Sequence, residues 1–285
     1  MVSKGLSHVN ESPYPRTSFG GYLKYTPLTK GFMFEKTVVI TGSSKGFGRA
    51  LAEEFLRHGN RVVLNSHNAA NVQRAYRELY PLYGEKCDYV VGDVSNRHDS
   101  NRIAEYAKRN MGSVDIWINN AGTNGYRRGA VLSMSEDKVQ SVVETNLLGT
   151  IYGSQAALEV MEKDGILINL EGSGCDPMSS VPGYAVYEST KVGIKHFTKS
   201  LQSEMRESLF KIGTVSPGMI MTDMLTIDNS SNTLDMLAPF ASTPDTVAKY
   251  VYHQIEDLRD TGFRIEYLTL CRILQVIFSM PFRKN

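Results

Sequence analysis

Two residues of the chain have the types and the spacing of an acid–base pair. Tyr187 and Lys191 stand four positions apart in the sequence YESTK, and residues four apart share one face of a helix. A fixed positive charge beside a phenol stabilises the phenolate and lowers the pKa of the tyrosine toward the working pH. The pair therefore predicts a tyrosine that exchanges a proton with a substrate.

A glycine-rich segment near the start of the chain predicts that a phosphate binds there. Thr41–Gly48 reads TGSSKGFG and stands between an apolar run and a helical pattern at Arg49–His58. Glycines allow a pyrophosphate to approach the backbone closely, and a helix N-terminus favours its negative charge. A phosphate-bearing cofactor beside a tuned proton donor indicates hydride transfer. The predicted cofactor contacts in this turn are Gly42, Ser44, Lys45, Gly46, Phe47 and Gly48.

The end of the second predicted strand indicates which nicotinamide cofactor binds. An acidic residue there would bind the adenosine 2′-hydroxyl, but residues 65–68 read NSHN. Lys45 supplies a cation near this position, and no carboxylate is present to repel a phosphate. The sequence therefore favours NADPH over NADH. His67 is interpreted either as a further cofactor contact or as an ordinary surface histidine.

Short β-branched runs alternate with amphipathic helical stretches along most of the chain. This order is typical of an α/β protein with a Rossmann-type doubly wound parallel sheet and helices on both faces, here one domain over residues 37–270. The predicted strands are Thr37–Thr41, Arg61–Asn65, Asp88–Val91, Val114–Ile118, Ile166–Leu170, Ile212–Val215 and a last one near Phe263–Ile265. The predicted helices begin near Gly46, Asn68, Asn96, Ser135, Ala185 and Pro244. The segment Met219–Phe240 has no clear period and is interpreted as a mobile lid over a pocket.

The composition is that of a globular protein with a large core. The chain has 285 residues, of which 41% are hydrophobic and 21% charged, and its net charge is +1. This charge does not indicate a nucleic-acid partner. Cys87, Cys175 and Cys271 are far apart, so we expect reduced thiols rather than a disulfide framework or a metal site. No apolar run is long enough to predict a transmembrane helix.

The two ends of the chain differ from the rest. Residues 1–36 contain few acids and many small or polar residues, which predicts a flexible N-terminal arm. This arm is either the remnant of an organelle-targeting peptide or a flexible end without special meaning. Residues 271–285 form an apolar tail, and apolar residues recur at helical spacing over Tyr267–Phe282. The stripe would cover the core or a dimer surface, or rest on a membrane and admit an apolar substrate.

Four motifs together resemble the short-chain dehydrogenase/reductase family. They are TGSSKGFG, NNAG at 119–122, the Tyr187/Lys191 pair and SPGM at 216–219, in the family's order and at its usual spacings. The resemblance implies that Tyr187 gives a proton to a carbonyl oxygen as hydride arrives, and that Lys191 tunes the tyrosine and holds the nicotinamide ribose. It also implies that Asn146 holds a water in the proton relay. The further cofactor contacts that it implies are Asp93, Val94, Asn120, Ala121, Gly122, Pro217, Gly218 and Thr222.

The family's catalytic serine follows the fifth strand, where this chain reads NLEGSG. Ser173 is the first candidate to hydrogen-bond the substrate oxygen, and Ser179 and Ser180 are the alternatives. Glu171 stands where a small hydroxyl residue is expected. It is interpreted either as a surface loop acid or as a polar contact to the substrate.

Several stretches resemble one branch of the family more closely, the chlorophyll b reductases of plastids. They are VDIWINNAGTN (114–124), NLEG (169–172), AVYESTK (185–191), SPGMIMTDML (216–225), and YLT followed by CRIL (267–274). The resemblance implies NADPH-dependent reduction of the formyl group of chlorophyll b, in a plastid. The alternative substrates are a related tetrapyrrole, a carotenoid or another large apolar carbonyl compound, in which case the protein would be cytoplasmic.

Other functions remain open at this point. A non-catalytic NADPH-binding protein would keep the fold without turnover, although it would usually have lost Tyr187, Lys191 or Asn146. An alcohol dehydrogenase would run the reaction in reverse, but NADPH usually drives reduction. By analogy with the family we expect a homo-oligomer formed through two long helices near Ser135–Glu162 and Ala185–Leu209.

Overall fold

A parallel sheet of seven strands forms the centre of the protein. The computed structural model describes residues 35–125, 130–172, 180–226, 238–269 and residue 273. The strands of the sheet are β1 (Thr37–Ile40), β2 (Arg61–Ser66), β3 (Cys87–Val91), β4 (Ile116–Asn119), β5 (Ile166–Leu170), β6 (Lys211–Ser216) and β9 (Gly262–Glu266). Their order across the sheet is β3-β2-β1-β4-β5-β6-β9. The two-residue strands β7 (Met219–Ile220) and β8 (Ala241–Ser242) form a separate parallel pair.

Helices connect successive strands. They are α1 (Gly46–Arg57), α2 (Ala69–Tyr83), α3 (Arg97–Met111), α4 (Glu136–Val143), α5 (Gly149–Val160), α6 (Ala185–Glu204), α7 (Asp223–Thr226) and α8 (Pro244–Glu256). A π-helical segment, Glu144–Leu148, joins α4 to α5, and short 3-10 turns lie at Gly84–Lys86, Val131–Ser133 and Ala238–Phe240. The predicted doubly wound α/β fold is confirmed.

Polar residues define where several of these helices begin. Asn68 caps α2, since its side-chain oxygen accepts a hydrogen bond from the Asn71 amide over 3.0 Å. Asn96 caps α3 by accepting from the His98 amide over 2.9 Å. Thr243 caps α8, which has Pro244 at its first position, where the missing N–H is not needed. These local signals explain why the sequence alone predicts the starts of the helices well.

The sheet is buried on both faces, and alternate strand residues face two different cores. Val38 and Ile40 of β1 belong to the core that includes Phe55 of α1. Val39, between them, belongs to the core that includes Trp117 and Ile103. A sheet covered on both sides requires nearly continuous apolar strands, which is the pattern that the sequence shows.

The structure refines some boundaries of the sequence-based prediction. The helix after the glycine turn begins at Gly46, as predicted, and ends at Arg57, one residue before the end of the predicted helical pattern. The predicted lid contains β7, α7 and a 3-10 turn, and its residues 227–237 lie outside the described residues. The N-terminal arm before residue 35 and the apolar tail, except Ile273, also lie outside them. In the described part of the chain, no helix has the length and apolarity needed to cross a membrane.

Candidate active site

The candidate site lies at the edge of the sheet where the parallel strands have their carboxyl ends. The strand order reverses between β1 and β4, and such a switch point is where open α/β sheets bind their ligands. The glycine turn follows β1, and Gly42 and Gly46 have φ angles of +63° and +60°. Lys45 precedes α1 in extended conformation, and its side chain does not cap the helix. The first turn of α1 therefore directs its amides toward the cleft, as phosphate binding requires.

Asn120 joins the glycine turn to the loop after β4. Its side-chain amide donates to the carbonyl oxygens of Thr41 and Gly42 over 2.9 and 3.1 Å. In return, the Thr41 hydroxyl accepts from the main-chain amides of Asn120 and Ala121 over 3.0 and 3.1 Å. A Cβ atom on Gly48 would overlap the Asn120 amide. Glycine at position 48 is thus required by this packing.

The ends of β2 and β3 are held by Asn65, a role that the sequence analysis missed. The Asn65 side chain accepts from the Gly42 amide over 3.3 Å and donates to the carbonyls of Val90 and Gly92 over 3.2 and 3.0 Å. His67, one of the predicted cofactor residues, is exposed beyond the end of β2. Asn65 thus places an amide, and not a carboxylate, at the end of β2.

Four other predicted cofactor residues lie around the same edge. Asp93 is exposed, and its carboxylate accepts from the amide and hydroxyl of Ser95 over 3.0 and 2.8 Å. Val94 is buried, and it lies so close to Gly149 that a Cβ there would come within 2.8 Å of a Val94 methyl group. Ser44 is half-buried in the glycine turn, and Phe47 belongs to the core beneath it.

The segment after β6 reaches across to the glycine turn. Pro217 is buried and Gly218 has a φ of +70°, with Leu268 packed against it. Thr222 follows, and its methyl group lies 3.5 Å from the Cβ position of Gly46. The Lys45 ammonium then pairs with Asp223 over 2.8 Å, and this hydrogen bond lowers the pKa of the Asp223 carboxyl. The glycine turn and α7 therefore face each other across the cleft.

Tyr187 and Lys191 lie in the first two turns of α6, as predicted. Tyr187 is half-buried, whereas Lys191 is 5% exposed. The Lys191 ammonium lies 5.8 Å from the centre of the Tyr187 ring and donates to the Leu170 carbonyl at the end of β5 over 3.0 Å. A Cβ on Gly122 would lie 3.7 Å from the same ammonium. This geometry places a buried positive charge between the phenol and the loop after β4.

Asn146 lies in the π-helical segment and is fully buried. Its side-chain oxygen accepts from the Thr123 amide over 2.8 Å, and its amide group donates to the Thr123 carbonyl over 2.9 Å. The same amide group donates to the Thr190 hydroxyl over 3.0 Å. π-helical turns often occur at functional sites, and this one turns the Asn146 side chain toward the site. The sequence predicted the residue but not the π-helical geometry.

Gly172 lies directly beside the phenol. A Cβ atom there would come within 2.5 Å of the Tyr187 hydroxyl and 3.1 Å of Lys191 Cγ. Only glycine leaves the phenol in its place. Ser173 and Ser179 lie outside the described residues, and Ser180 is exposed in the loop that precedes α6. The serine assignment therefore stays a prediction.

The interpretation of Glu171 as a surface loop acid was wrong, whereas a contact to the substrate stays a prediction. Its carboxylate is buried and binds the Arg264 guanidinium of β9 through distances of 3.0 to 3.2 Å. It also accepts from the Thr214 hydroxyl of β6 over 2.6 Å. The residue ties β5, β6 and β9 together at the carboxyl edge. Sequence reasoning missed this because the partner, Arg264, stands 93 positions away.

Replacing Glu171 with glutamine is expected to lower the free energy of unfolding by about 2 kcal/mol, because it leaves Arg264 without its buried counter-charge. This loss is smaller than the value of about 3–5 kcal/mol that is typical of removing one partner of a fully buried pair, because the Arg264 side chain is 37% exposed. Urea denaturation measures it. The control is Glu266→Gln, which removes the exposed partner of the same arginine and should cost at most about 1 kcal/mol. Equal losses in the two variants would contradict the assignment of Glu171 as the buried counter-charge of Arg264.

The described residues offer neither a metal site nor a reactive cysteine. No group of three or more His, Cys, Asp or Glu side chains in the described ranges is placed to hold a metal ion. Burial raises the pKa of the Cys87 thiol to about 12, so this cysteine is not a reactive thiolate. What the described residues do bring together is a glycine-lined helix N-terminus and a tyrosine–lysine pair at one edge of the sheet.

Comparison with known proteins identifies the family of this chain. Residues 36–233 match a family described as short chain dehydrogenase. The chain belongs to that family. The prediction of an oxidoreductase of the short-chain dehydrogenase/reductase family is thereby confirmed, and a small-molecule substrate and a nicotinamide cofactor are what the family implies.

Two curated relatives are similar over most of the chain. The protein named probable chlorophyll(ide) b reductase NYC1, chloroplastic, of Oryza sativa subsp. japonica is 36% identical over 88% of this chain and 53% of its own length. Chlorophyll(ide) b reductase NOL, chloroplastic, of Arabidopsis thaliana is 33% identical over 92% of this chain and 78% of its own length. The chain thus spans about half the length of the first relative.

A solved structure shows the same fold. The short chain dehydrogenase from Burkholderia cenocepacia J2315 in complex with NADP superposes with a TM-score of 0.71. The match covers 81% of this chain and 96% of that one at 21% sequence identity. At this identity the likeness speaks for the fold alone.

Proposed function

We propose that the protein is an NADPH-dependent carbonyl reductase that reduces the formyl group of chlorophyll b or chlorophyllide b. The observation that carries the proposal is the Tyr187–Lys191 pair at the same sheet edge as the glycine turn. The similarity to two proteins named chlorophyll(ide) b reductase supports the substrate class. An aldehyde, a hydride donor and a tyrosine proton together suffice for this reaction.

The described residues fit a dinucleotide cofactor. The glycine turn has positive φ at Gly42 and Gly46, and the first turn of α1 is not capped by Lys45. Bound there, NADPH would supply the hydride. Asp93, Val94 and Asn120 to Gly122 would hold its adenosine and ribose side, whereas Pro217, Gly218 and Thr222 would meet the nicotinamide end.

The chain's own residues would then move the proton. Tyr187 would donate its phenolic proton to the carbonyl oxygen of the substrate as the carbon accepts hydride. The ammonium of Lys191, held by the Leu170 carbonyl, would stabilise the phenolate that remains. Asn146 would support the relay that returns a proton to Tyr187. Ser173 would polarise the substrate oxygen.

Exposed apolar side chains near the cleft support a large apolar substrate. Val131 and Leu132 are 55% and 97% exposed in the loop after β4, and Met221 and Met224 are 39% exposed around α7. The start of the loop after β4 contacts α7, because the Asn124 side-chain amide donates to the Met224 carbonyl over 3.4 Å. A tetrapyrrole is flat and apolar, and flexible methionines suit such a surface. Another large apolar carbonyl compound is the alternative.

Lys45 would select NADPH by binding the adenosine 2′-phosphate. Lys45→Glu is expected to raise the Kd for NADPH by about 10- to 100-fold, because it exchanges a charge-assisted contact for repulsion. The Kd for NADH should change by less than about threefold. Fluorescence titration with each cofactor measures both values. Equal weakening of the two cofactors would contradict the assignment.

Asp223→Asn provides the matched control for this cofactor prediction. The substitution removes the carboxylate that pairs with Lys45 over 2.8 Å and keeps the shape of the side chain. Both side chains of the pair are about 60% exposed, so the pair itself contributes little stability. NADPH binding should therefore be retained or become slightly tighter. A loss as large as that of Lys45→Glu would mean that α7, and not the lysine charge, is what the cofactor needs.

Location and assembly are part of the same proposal. The two relatives are named as chloroplastic, which supports a plastid location for this chain. Helix α6 and the helical stretch that runs from α4 through the π-helical segment to α5 would form the surface of a homo-oligomer, as in the family. A peripheral membrane contact through the C-terminal tail would bring the enzyme to an apolar substrate.

A panel assay tests the proposed function. NADPH oxidation is followed with chlorophyll b, chlorophyllide b and retinal-like aldehydes, and each product is identified by absorbance and mass. Turnover of the chlorophyll b compounds is the expected result. Turnover of another carbonyl only would keep the reductase and overturn its substrate. NADPH binding without any turnover would favour the non-catalytic alternative.

A further inference from the structure

Thr190 links the proton-donating tyrosine to the rest of the site, and we propose that it is a positioning residue for Tyr187. It is 2% exposed on α6, one residue before Lys191. Its hydroxyl donates to the Tyr187 main-chain carbonyl over 2.6 Å and accepts from the Asn146 amide group over 3.0 Å. One hydroxyl therefore connects α6 with the π-helical segment. The inference rests on the function proposed above.

The connection continues from Asn146 to the loop after β4. Asn146 binds both the amide and the carbonyl of Thr123, at 2.8 and 2.9 Å. Thr123 directly follows the loop 120–122, which is fixed on the glycine turn by Asn120. Both protons of the Asn146 amide group are thus used, one on Thr123 and one on Thr190. Hydrogen bonds at both ends of the loop 120–123 thus connect the main chain of Tyr187 to the glycine turn.

The location of Tyr187 explains why such an anchor matters. Tyr187 lies in the first turn of α6, which begins at Ala185, and a helix has the fewest internal hydrogen bonds at its ends. A displacement of about 1 Å between reacting groups can cost about 100-fold in rate. Hydrogen bonds that fix the first turn of α6 to the loop after β4 would therefore set the alignment of the Tyr187 phenol.

A second threonine on the same helix gives a matched comparison. A threonine hydroxyl that bonds back to a preceding carbonyl is common in helices and need have no functional role. Thr198 has this geometry: it is 1% exposed, donates to the Ile194 carbonyl over 2.8 Å and accepts from Asn169 over 2.9 Å. Its neighbours lie in the core and not at Tyr187. Deleting either hydroxyl removes the same kind of bond pair, but only Thr190 acts on the tyrosine.

The test compares Thr190→Val, Thr190→Ala, Thr190→Ser and Thr198→Val in the full chain with NADPH. For each variant, kcat, KM and their pH dependence are measured with the best substrate, and thermal unfolding reports folding. A second readout needs no substrate: the ionisation of Tyr187 is followed by tyrosinate absorbance, with Tyr187→Phe as the baseline. Burial raises the pKa of Tyr76, Tyr106 and Tyr252 above the ordinary tyrosine value, which separates these phenols from a tyrosine whose pKa is lowered.

Thr190→Val and Thr190→Ala are expected to lower kcat by about 10- to 100-fold, with the KM for NADPH changed by less than about threefold. The Tyr187 ionisation should move up toward pH 10, since the phenol loses its alignment with Lys191. Thr190→Ser should restore both, and Thr198→Val should match the wild type in both. Thr190 variants that behave like Thr198→Val would overturn the proposal. A wild type without turnover would refute the function, whereas the titration would still decide the role of Thr190.

Discussion

Replacing Tyr187 with phenylalanine is expected to lower kcat by about 100- to 10,000-fold, because it deletes the group that donates the proton. NADPH should still bind with nearly wild-type affinity, since the glycine turn and Asn120 are unchanged. Steady-state turnover and fluorescence titration measure the two effects. A loss in kcat without a loss in cofactor affinity is the signature of a group that acts mainly in the transition state.

Tyr184→Phe is the control for the loss of a phenol hydroxyl. Its ring lies 5.9 Å from that of Tyr187 at the start of α6, so the substitution perturbs the same surroundings. Turnover should fall by less than about threefold, because this residue has no step in the reaction. Near-wild-type turnover of Tyr187→Phe, or an equal loss in both variants, would contradict the assignment of Tyr187 as the proton donor.

Gly172→Ala is expected to lower kcat by about 100-fold through displacement of the phenol. The added methyl group would stand 2.5 Å from the Tyr187 hydroxyl and 3.1 Å from Lys191 Cγ. The ring is rigid and the lysine is buried, so the phenol or the backbone must shift. NADPH affinity should remain within about threefold of the wild type, since the glycine turn lies elsewhere. Turnover and cofactor titration are again the measurements.

Gly193→Ala is the matched control for this glycine. It lies two residues after Lys191 on the same helix, and its added methyl group would lie 3.3 Å from a terminal carbon of Leu147. A leucine side chain can adjust, and alanine favours a helix by about 1 kcal/mol over glycine. This variant should therefore keep its turnover and its stability. Wild-type activity in Gly172→Ala would show that the phenol is not held at the observed position.

Most of the fold was predictable because its signals are local. The strands are continuous apolar runs between helix caps such as Asn68 and Asn96, and a parallel order then follows from the alternation of strands and helices. The glycine turn could be found since positive φ at Gly42 and Gly46 requires that residue type. The Tyr187–Lys191 spacing places both residues on one helix face without any tertiary information.

The parts that could not be predicted depend on contacts between distant residues. Glu171 looked like a loop acid, but it is buried because Arg264 and Thr214 meet its carboxylate. In the sequence, Asn65 indicated only that no acid stands at the end of β2. In the structure, its side-chain amide binds main-chain groups at the ends of three strands. The π-helical turn at Asn146 has no characteristic local sequence, and the partner of its side chain, Thr123, lies in a distant loop. Burial and partner identity are tertiary properties that no local pattern contains.

Hydride transfer to the carbonyl carbon is tested with NADPH that carries deuterium at the transferred position. The enzyme is incubated with this cofactor and chlorophyllide b, and the product is examined by mass spectrometry and proton NMR. The proposed hydride transfer predicts one deuterium on the new hydroxymethyl carbon for each NADPH oxidised, and almost none in the Tyr187→Phe variant. A reduced product without deuterium, or NADPH oxidation without a reduced carbonyl, would contradict the proposed hydride transfer.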